Sequence, residues 1–270
     1  MLIAQITDTH LTEHGGLAQG VVDTLPKVQS VVDSINGLPI SPDVVLFTGD
    51  LADNCHPDAY QDLTRLRSEL NQPSFVIPGN HDDRILMREA FPELPGQGND
   101  PIQYVIDDFP VRIVALDTLL SGGNDNGDLC DDRLDWLEDC LAQQPDAPTL
   151  IMMHHPPFRT FIDEMDFYGI QSGVPRLETL ILKNPQVNRI ICGHVHRSIQ
   201  SVFANRICSI APAVSFDQAF GFGPEGPTGF SFGSPRYELH KFNGTNFVSH
   251  TMTQDDLTAP IPYPVSSYHA

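Results

Sequence analysis

Along its first two-thirds, the chain alternates short apolar runs with stretches of helical pattern. This alternation is typical of layered α/β folds in which much of the sheet is parallel. A chain of 270 residues is long enough to bury a sizeable core in such a fold. The predicted strands lie at residues 2–7, 44–47, 74–77, 102–106, 111–116, 149–153 and 189–192. The predicted helices lie at about residues 25–35, 58–70, 82–90, 131–142 and 175–182.

The pattern changes after residue 197, where the remaining chain becomes β-like. Short apolar runs of strand character are found at residues 207–210, 236–242 and 247–251. We therefore expect a catalytic core over residues 1–200 and a C-terminal β-rich appendage over residues 201–270.

A stretch rich in Gly, Phe and Pro, residues 220–234, interrupts the C-terminal segment. It contains four phenylalanines that are costly to leave in water, namely Phe220, Phe222, Phe230 and Phe232. Two interpretations stay open. The stretch is either a plain surface connection, or a loop that caps a cleft or contacts a second subunit. The second interpretation predicts a homo-oligomer, a dimer or larger.

The net charge of the chain argues against several classes of partner. The sequence has 15 Lys and Arg against 35 Asp and Glu, which gives a formal net charge of −20. An acidic surface repels the phosphates of nucleic acids and of anionic membranes. We therefore expect neither a nucleic-acid polymer nor a membrane as a partner. The sequence also has no run of 18 apolar residues that would predict a membrane span.

The cysteines and the first residues predict a cytoplasmic protein. The five cysteines are scattered and form no CxxC pair, so neither a disulfide framework nor a Cys-ligated zinc is expected. The N-terminus reads as a first β-strand and lacks the basic and apolar regions of a signal peptide. Reduced thiols are the ordinary state of cysteine in the cytoplasm.

Histidines gather directly after the predicted strands. Six of the 11 histidines have this position, and Asp8, Asp50, Asn80 and Asp82 accompany them. Loops at the carboxyl ends of parallel strands converge on one crevice, so these side chains should lie close together. The six histidines are His10, His81, His154, His155, His194 and His196.

The donor types at these strand ends favour a metal site. Residues i and i+2 of an extended strand point the same way, so Asp8 with His10, and His194 with His196, are each predicted to face one site. Imidazole, carboxylate and amide donors without thiolate suit Mn, Fe, Zn or Co. The set offers more donors than one ion takes, and two ions that share a carboxylate would use them all. Three glycines that allow close backbone approach precede the donors, at Gly49, Gly79 and Gly193.

The ordered motifs resemble those of the calcineurin-like metallophosphoesterase superfamily. The resemblance covers residues 1 to about 200 and is greatest to bacterial class III cyclic nucleotide phosphodiesterases and related glycerophosphodiesterases. It implies a four-layer αββα sandwich of two mixed sheets flanked by helices. The matching motifs are Asp8-x-His10, Gly49-Asp50, Gly79-Asn80-His81-Asp82, His154 and Gly193-His194-x-His196.

The resemblance also implies a role for each motif residue. Two divalent or trivalent ions, of Mn, Fe, Zn or Co, would share Asp50 as a bridging ligand. The first ion would take Asp8, His10 and His196, and the second would take Asn80, His154 and His194.

The remaining motif residues would surround the ions without binding them. His81 would be catalytic together with the bridging Asp50, either by stabilising developing charge or by protonating the leaving group. His155 would be structural. Asp82 would either orient His81 or cap a helix.

The reaction implied is hydrolysis of a small phosphodiester, a 3′,5′-cyclic nucleotide or a glycerophosphodiester, by metal-activated hydroxide. A phosphomonoesterase of the same superfamily is the main alternative, although only Arg84 and Arg197 lie beside the motifs to clamp a dianionic phosphate. A nuclease would need a basic groove, which a charge of −20 does not favour. A non-catalytic interaction scaffold would lack ligands, and none of the seven is missing.

Overall fold

The computed structural model describes residues 1–120 and 125–258, and its first sheet has five strands. The central strand β1 is parallel to β2, which is parallel to β3. On the other side, β12 runs antiparallel to β1, and β13 runs antiparallel to β12. The bounds are Leu2–Ile6 for β1, Val44–Thr48 for β2, Ser74–Ile77 for β3, Arg236–Phe242 for β12 and Phe247–Thr253 for β13.

The second sheet has six strands in the order β4-β5-β6-β7-β9-β8. Strands β5, β6, β7 and β9 are parallel, and the two edge strands β4 and β8 are antiparallel to their neighbours. The bounds are Tyr104–Ile106 for β4, Arg112–Ala115 for β5, Thr149–Met152 for β6, Val187–Cys192 for β7, Ile199–Phe203 for β8 and Arg206–Ile210 for β9.

Six α-helices are present in the described chain, and their beginnings follow from local sequence. Pro57 occupies the first turn of α2, where no backbone N–H is needed, and the Asp83 carboxylate accepts two N–H groups at the start of α3. The helices are α1 (Leu25–Asn36), α2 (Pro57–Glu69), α3 (Arg84–Ala90), α4 (Asp131–Gln143), α5 (Asp163–Phe167) and α6 (Val174–Lys183).

The two sheets pack face to face between two layers of helices. Alternate residues of β2 show this arrangement, since Leu46 faces the second sheet and Phe47 faces α1 to α3. On the second sheet, Met152 faces the first sheet and Ile151 packs against α4 and α6. Buried side chains thus form one core between the sheets and one under each helical layer. The predicted four-layer αββα sandwich is confirmed.

The C-terminal segment is β-rich, as expected, and contributes strands to both sheets. Strand β12 lies beside β1 in the first sheet, and β9 lies beside β7 in the second. Within the Gly/Phe/Pro-rich stretch, β11 (Phe230–Ser231) pairs with β10 (Asp217–Gln218), which precedes the stretch, in a short antiparallel hairpin.

The hairpin leaves three of the four phenylalanines of the 220–234 stretch exposed. Phe230 packs on the buried ring of Phe216, whereas Phe220, Phe222 and Phe232 are more than half exposed. The oligomeric contact inferred from these side chains stays a prediction. Among the described helices, none has both the length and the apolar character needed to cross a bilayer.

Candidate metal centre

The motif residues of both sheets meet at one end of the sandwich. Each group follows the carboxyl end of a parallel strand: Asp8 and His10 follow β1, and Asp50 follows β2. Three more strand ends complete the set, with Asn80 and His81 after β3, His154 after β6, and His194 and His196 after β7. All seven predicted ligands therefore lie in one cluster, as the sequence predicts.

Four of these residues form the first half of the cluster. The Nε2 atoms of His10 and His196 lie 3.1 Å apart, and the Nε2 atom of His196 is 3.3 Å from an Asp8 oxygen. His10 Nε2 is also 3.6 Å from an Asp50 oxygen. Ligand atoms of Asp8, His10, Asp50 and His196 all lie within 4.8 Å of one another. All four side chains are buried.

The second half of the cluster centres on Asn80. Its side-chain oxygen lies 3.1 Å from His154 Nε2 and 3.0 Å from His194 Nδ1. The Asp50 oxygen that faces His10 in the first half is 3.3 Å from His154 Nε2. Asp50 is therefore the carboxylate that faces both halves.

Hydrogen bonds hold several rings with one nitrogen turned into the cluster. The Nδ1 atom of His154 lies 2.8 Å from the Thr48 carbonyl oxygen, and that of His196 lies 2.9 Å from the Phe216 carbonyl oxygen. Each contact fixes Nδ1–H as the donor and turns Nε2 toward the cluster. Outer hydrogen bonds of this kind are what orient metal-binding histidines.

The chemistry of the donor set tests whether metal ions fit. In the second half of the cluster, His194 Nδ1 and His154 Nε2 both lie within 3.1 Å of the Asn80 side-chain oxygen. The neighbouring donors are also imidazole nitrogens and carboxylate or amide oxygens, which suit borderline-hard ions. The cluster is able to bind metal, and these residues fit the ions that the resemblance implies.

Burial and neighbouring charges shift the protonation of the cluster in opposite directions. Burial raises the pKa of Asp50, but the adjacent His154 and His81 outweigh it and hold this pKa well below its usual range. Burial lowers the pKa of His154, whereas Asp50 outweighs it and raises the pKa to about 9. Burial and the nearby His154 together lower the pKa of His194 to about 3. His194 is therefore neutral at pH 7, the form in which a histidine binds metal.

The predicted ligands do not have the extended backbone conformation that was assumed for their i, i+2 spacing. Asp8, His10, Asp50, His194 and His196 all have positive φ angles, between 44° and 76°. The prediction that each i, i+2 pair leaves an extended strand is therefore wrong, although both pairs do face one site. Left-handed backbone at residues other than glycine is uncommon and costs free energy, and it is concentrated at functional sites.

Glycine is needed where the loops approach one another. Gly49 has a φ of 94°, and a Cβ atom there would lie 2.4 Å from His154 Nδ1. A Cβ atom on Gly79 would lie 2.1 Å from an Asp50 oxygen. Any side chain at either position would push apart two loops that carry ligands.

His81 lies at the edge of the cluster, and its hydrogen-bond partner is Asp53 rather than Asp82. Its Nδ1 atom is 2.7 Å from the Asp53 carbonyl oxygen, and its backbone N–H donates to Asp50. Asp82 therefore does not orient the His81 ring, and the helix cap is Asp83 rather than Asp82. Burial lowers the pKa of His81, but the Asp50 carboxylate outweighs it and raises the pKa.

Asp82 has a different role, which is to join the two loops that carry Asp50 and Asn80. Its buried carboxylate accepts the backbone N–H groups of Leu51, Ala52 and Gly79. It also accepts the hydroxyl of Tyr60. Burial beside the Asp50 carboxylate raises the pKa of Asp82 to about 6.

Sequence reasoning did not single out Asp53, although the segment 49–53 carries it. The Asp53 carboxylate lies 2.9 Å from His10 Nδ1, so it completes the set of outer partners. His155 is structural, as the resemblance implies. Its two ring nitrogens lie 2.8 Å from the Thr118 hydroxyl and 3.3 Å from the Asp125 carbonyl oxygen, and its ring packs on His194.

An open cleft of 260 Å³ adjoins the cluster. Its outer wall is formed by Asp125, Glu164, Met165, Tyr168 and Gln218, and His81 lines it on the cluster side. None of the described residues that line the cleft is Lys or Arg. The cleft is therefore acidic around the buried donors.

Comparisons with known proteins agree with this geometry. The profile described as calcineurin-like phosphoesterase matches residues 1–198. A probable glycerophosphodiester phosphodiesterase, GpdQ, of Arcobacter nitrofigilis is 34% identical over 265 residues, which cover 97% of this chain and 97% of that protein. The 3′,5′-cyclic adenosine monophosphate phosphodiesterase CpdA of Escherichia coli K12 is 32% identical over 197 residues, or 73% of this chain and 70% of that protein.

A solved structure shares the fold at much lower sequence identity. A dimetal phosphatase from Danio rerio superimposes with a TM-score of 0.61 at 15% identity. The match covers 94% of this chain and 99% of that chain. The fold of most of the chain is therefore found in another protein.

Proposed function

Because the chain belongs to the calcineurin-like phosphoesterase family, we propose that it is a dinuclear-metal phosphodiesterase acting on small phosphodiesters. The observation that carries this proposal is the convergence of all seven predicted donors around Asp50. The function of a phosphoesterase site depends on these groups and on the cleft beside them rather than on the fold alone.

The ligand assignment follows the two halves of the cluster. Asp8, His10 and His196 would hold one ion, and Asn80, His154 and His194 would hold the other. Asp50 would be shared, because one of its oxygens faces both His10 and His154. Manganese, iron, zinc and cobalt all suit this donor set.

The ions, when bound, supply a water of lowered pKa as nucleophile and neutralise the phosphate oxygens. His81 then acts on the leaving oxygen. The Asp53 carbonyl oxygen fixes Nδ1–H of this ring, and the Asp50 carboxylate raises the pKa of the ring, which favours its protonated form. His81 Nε2–H is thus the proton donor to the departing alkoxide, and Asp53 sets the direction of the ring.

The charge of the cleft favours diesters over monoesters. A diester carries one negative charge and a monoester carries up to two, so a monoester needs cationic side chains that this cleft does not provide in its described lining. Arg84 is paired with Asp117 at 2.7 Å, and Arg197 donates to the Gln218 carbonyl oxygen. Neither arginine lines the cleft.

Glycerophosphodiesters are the substrate class that we favour. The Asp125 and Glu164 carboxylates of the cleft can accept hydrogen bonds from the hydroxyls of a glycerol group. The similarity to the Arcobacter GpdQ also extends over nearly the whole length of both chains. Cyclic nucleotides are the second candidate, because Tyr168 lines the same cleft and can offer its aromatic ring to a base.

We place the enzyme in the cytoplasm, where thiols stay reduced. All five cysteines are unpaired, and Cys130 is exposed. We also propose a homo-oligomer that covers the exposed phenylalanines of the 220–234 stretch.

A hydrolysis panel on manganese-reconstituted protein tests the proposal. It compares glycerophosphocholine, 3′,5′-cAMP, bis(p-nitrophenyl) phosphate and p-nitrophenyl phosphate. We expect kcat/KM for the nitrophenyl diester to exceed that for the monoester, and glycerophosphocholine to be cleaved faster than cAMP. Faster cleavage of the monoester would contradict the diesterase proposal, and preference for cAMP would contradict the substrate class alone.

A matched pair of variants tests the charge argument. Glu164→Gln removes a carboxylate from the cleft, and Glu178→Gln removes one from the exposed face of α6. Glu164→Gln should lower the ratio of kcat/KM for the diester to kcat/KM for the monoester. Glu178→Gln should leave this ratio unchanged. An equal effect of both would show that the cleft wall does not set the preference.

A further inference from the structure

A second cavity, of 340 Å³, lies at the end of the sandwich opposite to the metal cluster. It is formed at the beginnings of β7, β9 and β13, whereas the cluster follows the far end of β7. Its polar lining consists of two arginines and three asparagines, Arg189, Arg206, Asn188, Asn205 and Asn246. The remaining wall is apolar.

Arg189 is the buried base of this cavity, with only 3% of its surface exposed. Its Nη2 atom donates to the hydroxyls of Ser209 and Ser249 at 2.9 and 3.0 Å. Its Nε atom is buried and finds no acceptor among residues 1–120 and 125–258. The guanidinium forms no ion pair among the described residues, and the buried Glu238 carboxylate acts on its charge only from a greater distance.

Arg206 stands at the mouth of the same cavity and is also without a carboxylate in the described structure. It donates to the carbonyl oxygens of Val187 and Asn205. In a chain with 35 acidic and 15 basic residues, most arginines can find a carboxylate. Arg189 and Arg206 both line this cavity, and neither has a carboxylate partner there. They therefore leave hydrogen-bond donors and positive charge for a ligand.

The charge of this cavity contrasts with that of the other cavities. Each of four other cavities of similar volume contains at least one Asp or Glu in its lining. The lining of this one contains none. The polar groups here are therefore arranged for something other than a neighbouring side chain.

We propose that this cavity is a binding site for a small oxyanion of the phosphate type, held by Arg189 and Arg206. The planar guanidinium group matches the geometry of phosphate oxygens and strengthens each hydrogen bond by its charge. The asparagine side-chain amides at the rim supply further donors to the anion. The volume exceeds that of a free phosphate and leaves space for a short ester group.

This site is independent of the proposed phosphodiester hydrolysis, because none of its residues belongs to the metal cluster or lines the cleft. Free phosphate and the phosphate group of a small monoester share the recognised chemistry. Titration with inorganic phosphate and with glycerol 3-phosphate distinguishes these two sources.

Calorimetric titration of the metal-loaded protein with inorganic phosphate tests the site in solution. Wild type is compared with Arg206→Gln and with the control Arg65→Gln, which removes an exposed arginine on α2. Phosphate bound at the metal cluster gives a separate component that chelation by EDTA removes. We expect Arg206→Gln to weaken the EDTA-resistant component about tenfold or more, as loss of a charged hydrogen bond does.

The remaining outcomes of the titration are equally decisive. Arg65→Gln should retain the wild-type affinity, and Arg206→Gln should retain wild-type hydrolysis, which shows that its fold and metal cluster are intact. The absence of an EDTA-resistant component, or an equal affinity in all three proteins, overturns the proposal. Tighter binding of glycerol 3-phosphate than of inorganic phosphate would identify the ligand as an ester.

Diffraction from wild-type crystals soaked in selenate gives a second test, which does not depend on a substituted variant. Selenate is a tetrahedral oxyanion whose anomalous signal identifies its position. The proposal predicts a peak within hydrogen-bond distance of the Arg189 and Arg206 guanidinium groups. A peak at the metal cluster alone contradicts it.

Discussion

Lowering the pH should destabilise the sandwich through one buried histidine between the two sheets. His240 of β12 is fully buried, with its ring nitrogens 2.7 Å from the Ser249 hydroxyl and 3.0 Å from the Gln5 side-chain oxygen. Burial, and then the positive charge of Arg189, lower the pKa of His240 to about 3. In the unfolded chain a histidine has a pKa of about 6.5.

The sign and the magnitude follow from this difference in pKa. Above pH 6.5 the ring is neutral in both states and contributes nothing to the pH dependence. Below pH 6.5 the unfolded chain takes up a proton that the folded chain excludes, so stability falls as the pH falls toward 3. Each pH unit in this window costs about 1.4 kcal/mol, which amounts to about 2 kcal/mol between pH 7.5 and pH 5.0.

Urea unfolding at the two pH values measures this loss, with EDTA present so that metal release does not contribute. Other groups also titrate, so the quantity of interest is the difference between wild type and His240→Gln. The wild type should lose about 2 kcal/mol more than the variant. His250→Gln, which removes an exposed histidine, serves as the control and should behave as wild type. An equal loss in wild type and His240→Gln would refute the reasoning.

Three further predictions concern the metal centre and the loop beside it. His81→Ala should keep its metal content but lose about 10²–10⁴-fold in turnover of glycerophosphocholine, and less with bis(p-nitrophenyl) phosphate, whose leaving group needs little protonation. Equal losses for both substrates, measured by steady-state kinetics, would show that His81 is not the proton donor. Asp53→Ala, which frees His10 Nδ1, should weaken metal affinity about 10–100-fold in a competition titration with a chelator, and unchanged affinity would contradict the role given to Asp53. Deletion of residues 221–233 should change the mass in solution or the substrate preference while both metals stay bound, and no change in either would leave the loop as a surface connection.

Most strands and helices could be predicted from the sequence because their apolar patterns are strong. The strand predicted at residues 74–77 has the observed bounds of β3, and the predicted helices end within two residues of the observed ones. Several short or exposed elements were not predicted. Strand β8 (Ile199–Phe203) lies at a sheet edge with alternate residues exposed, and α5 (Asp163–Phe167) is one turn and a half long with no buried residue. The two-residue strands β10 and β11 and a 3-10 turn at Gln254–Leu257 are too short to leave an apolar pattern.

The start of α3 shows why boundaries are harder to predict than elements. The sequence suggests a helix from residue 82, but the Asp82 side chain is turned inward to accept three backbone N–H groups and the Tyr60 hydroxyl. The following residue, Asp83, therefore caps the helix, which begins at Arg84. Which of two adjacent aspartates is the cap depends on the neighbouring loop, and that loop is distant in the sequence.

The identity of the site residues could be predicted, but their backbone and outer partners could not. Ligands follow strands in the order of the chain, which a sequence displays directly. Asp8 and Asp50 have positive φ angles in loops that hydrogen-bond to each other, with Asp8 N–H donating to the Gly49 carbonyl oxygen and His10 N–H donating to that of Asp50. The contact of His154 with the Thr48 carbonyl oxygen likewise joins the two sheets, and no local pattern encodes it.

The central claim of a dinuclear centre that shares Asp50 is tested most directly by diffraction from crystals of manganese-reconstituted protein at the manganese absorption edge. The account predicts two anomalous peaks per chain, with Asp50 oxygens in the coordination sphere of both ions. The first ion should contact Asp8, His10 and His196, and the second should contact Asn80, His154 and His194. A single peak at full occupancy, or an Asp50 carboxylate bound to only one ion, would contradict it.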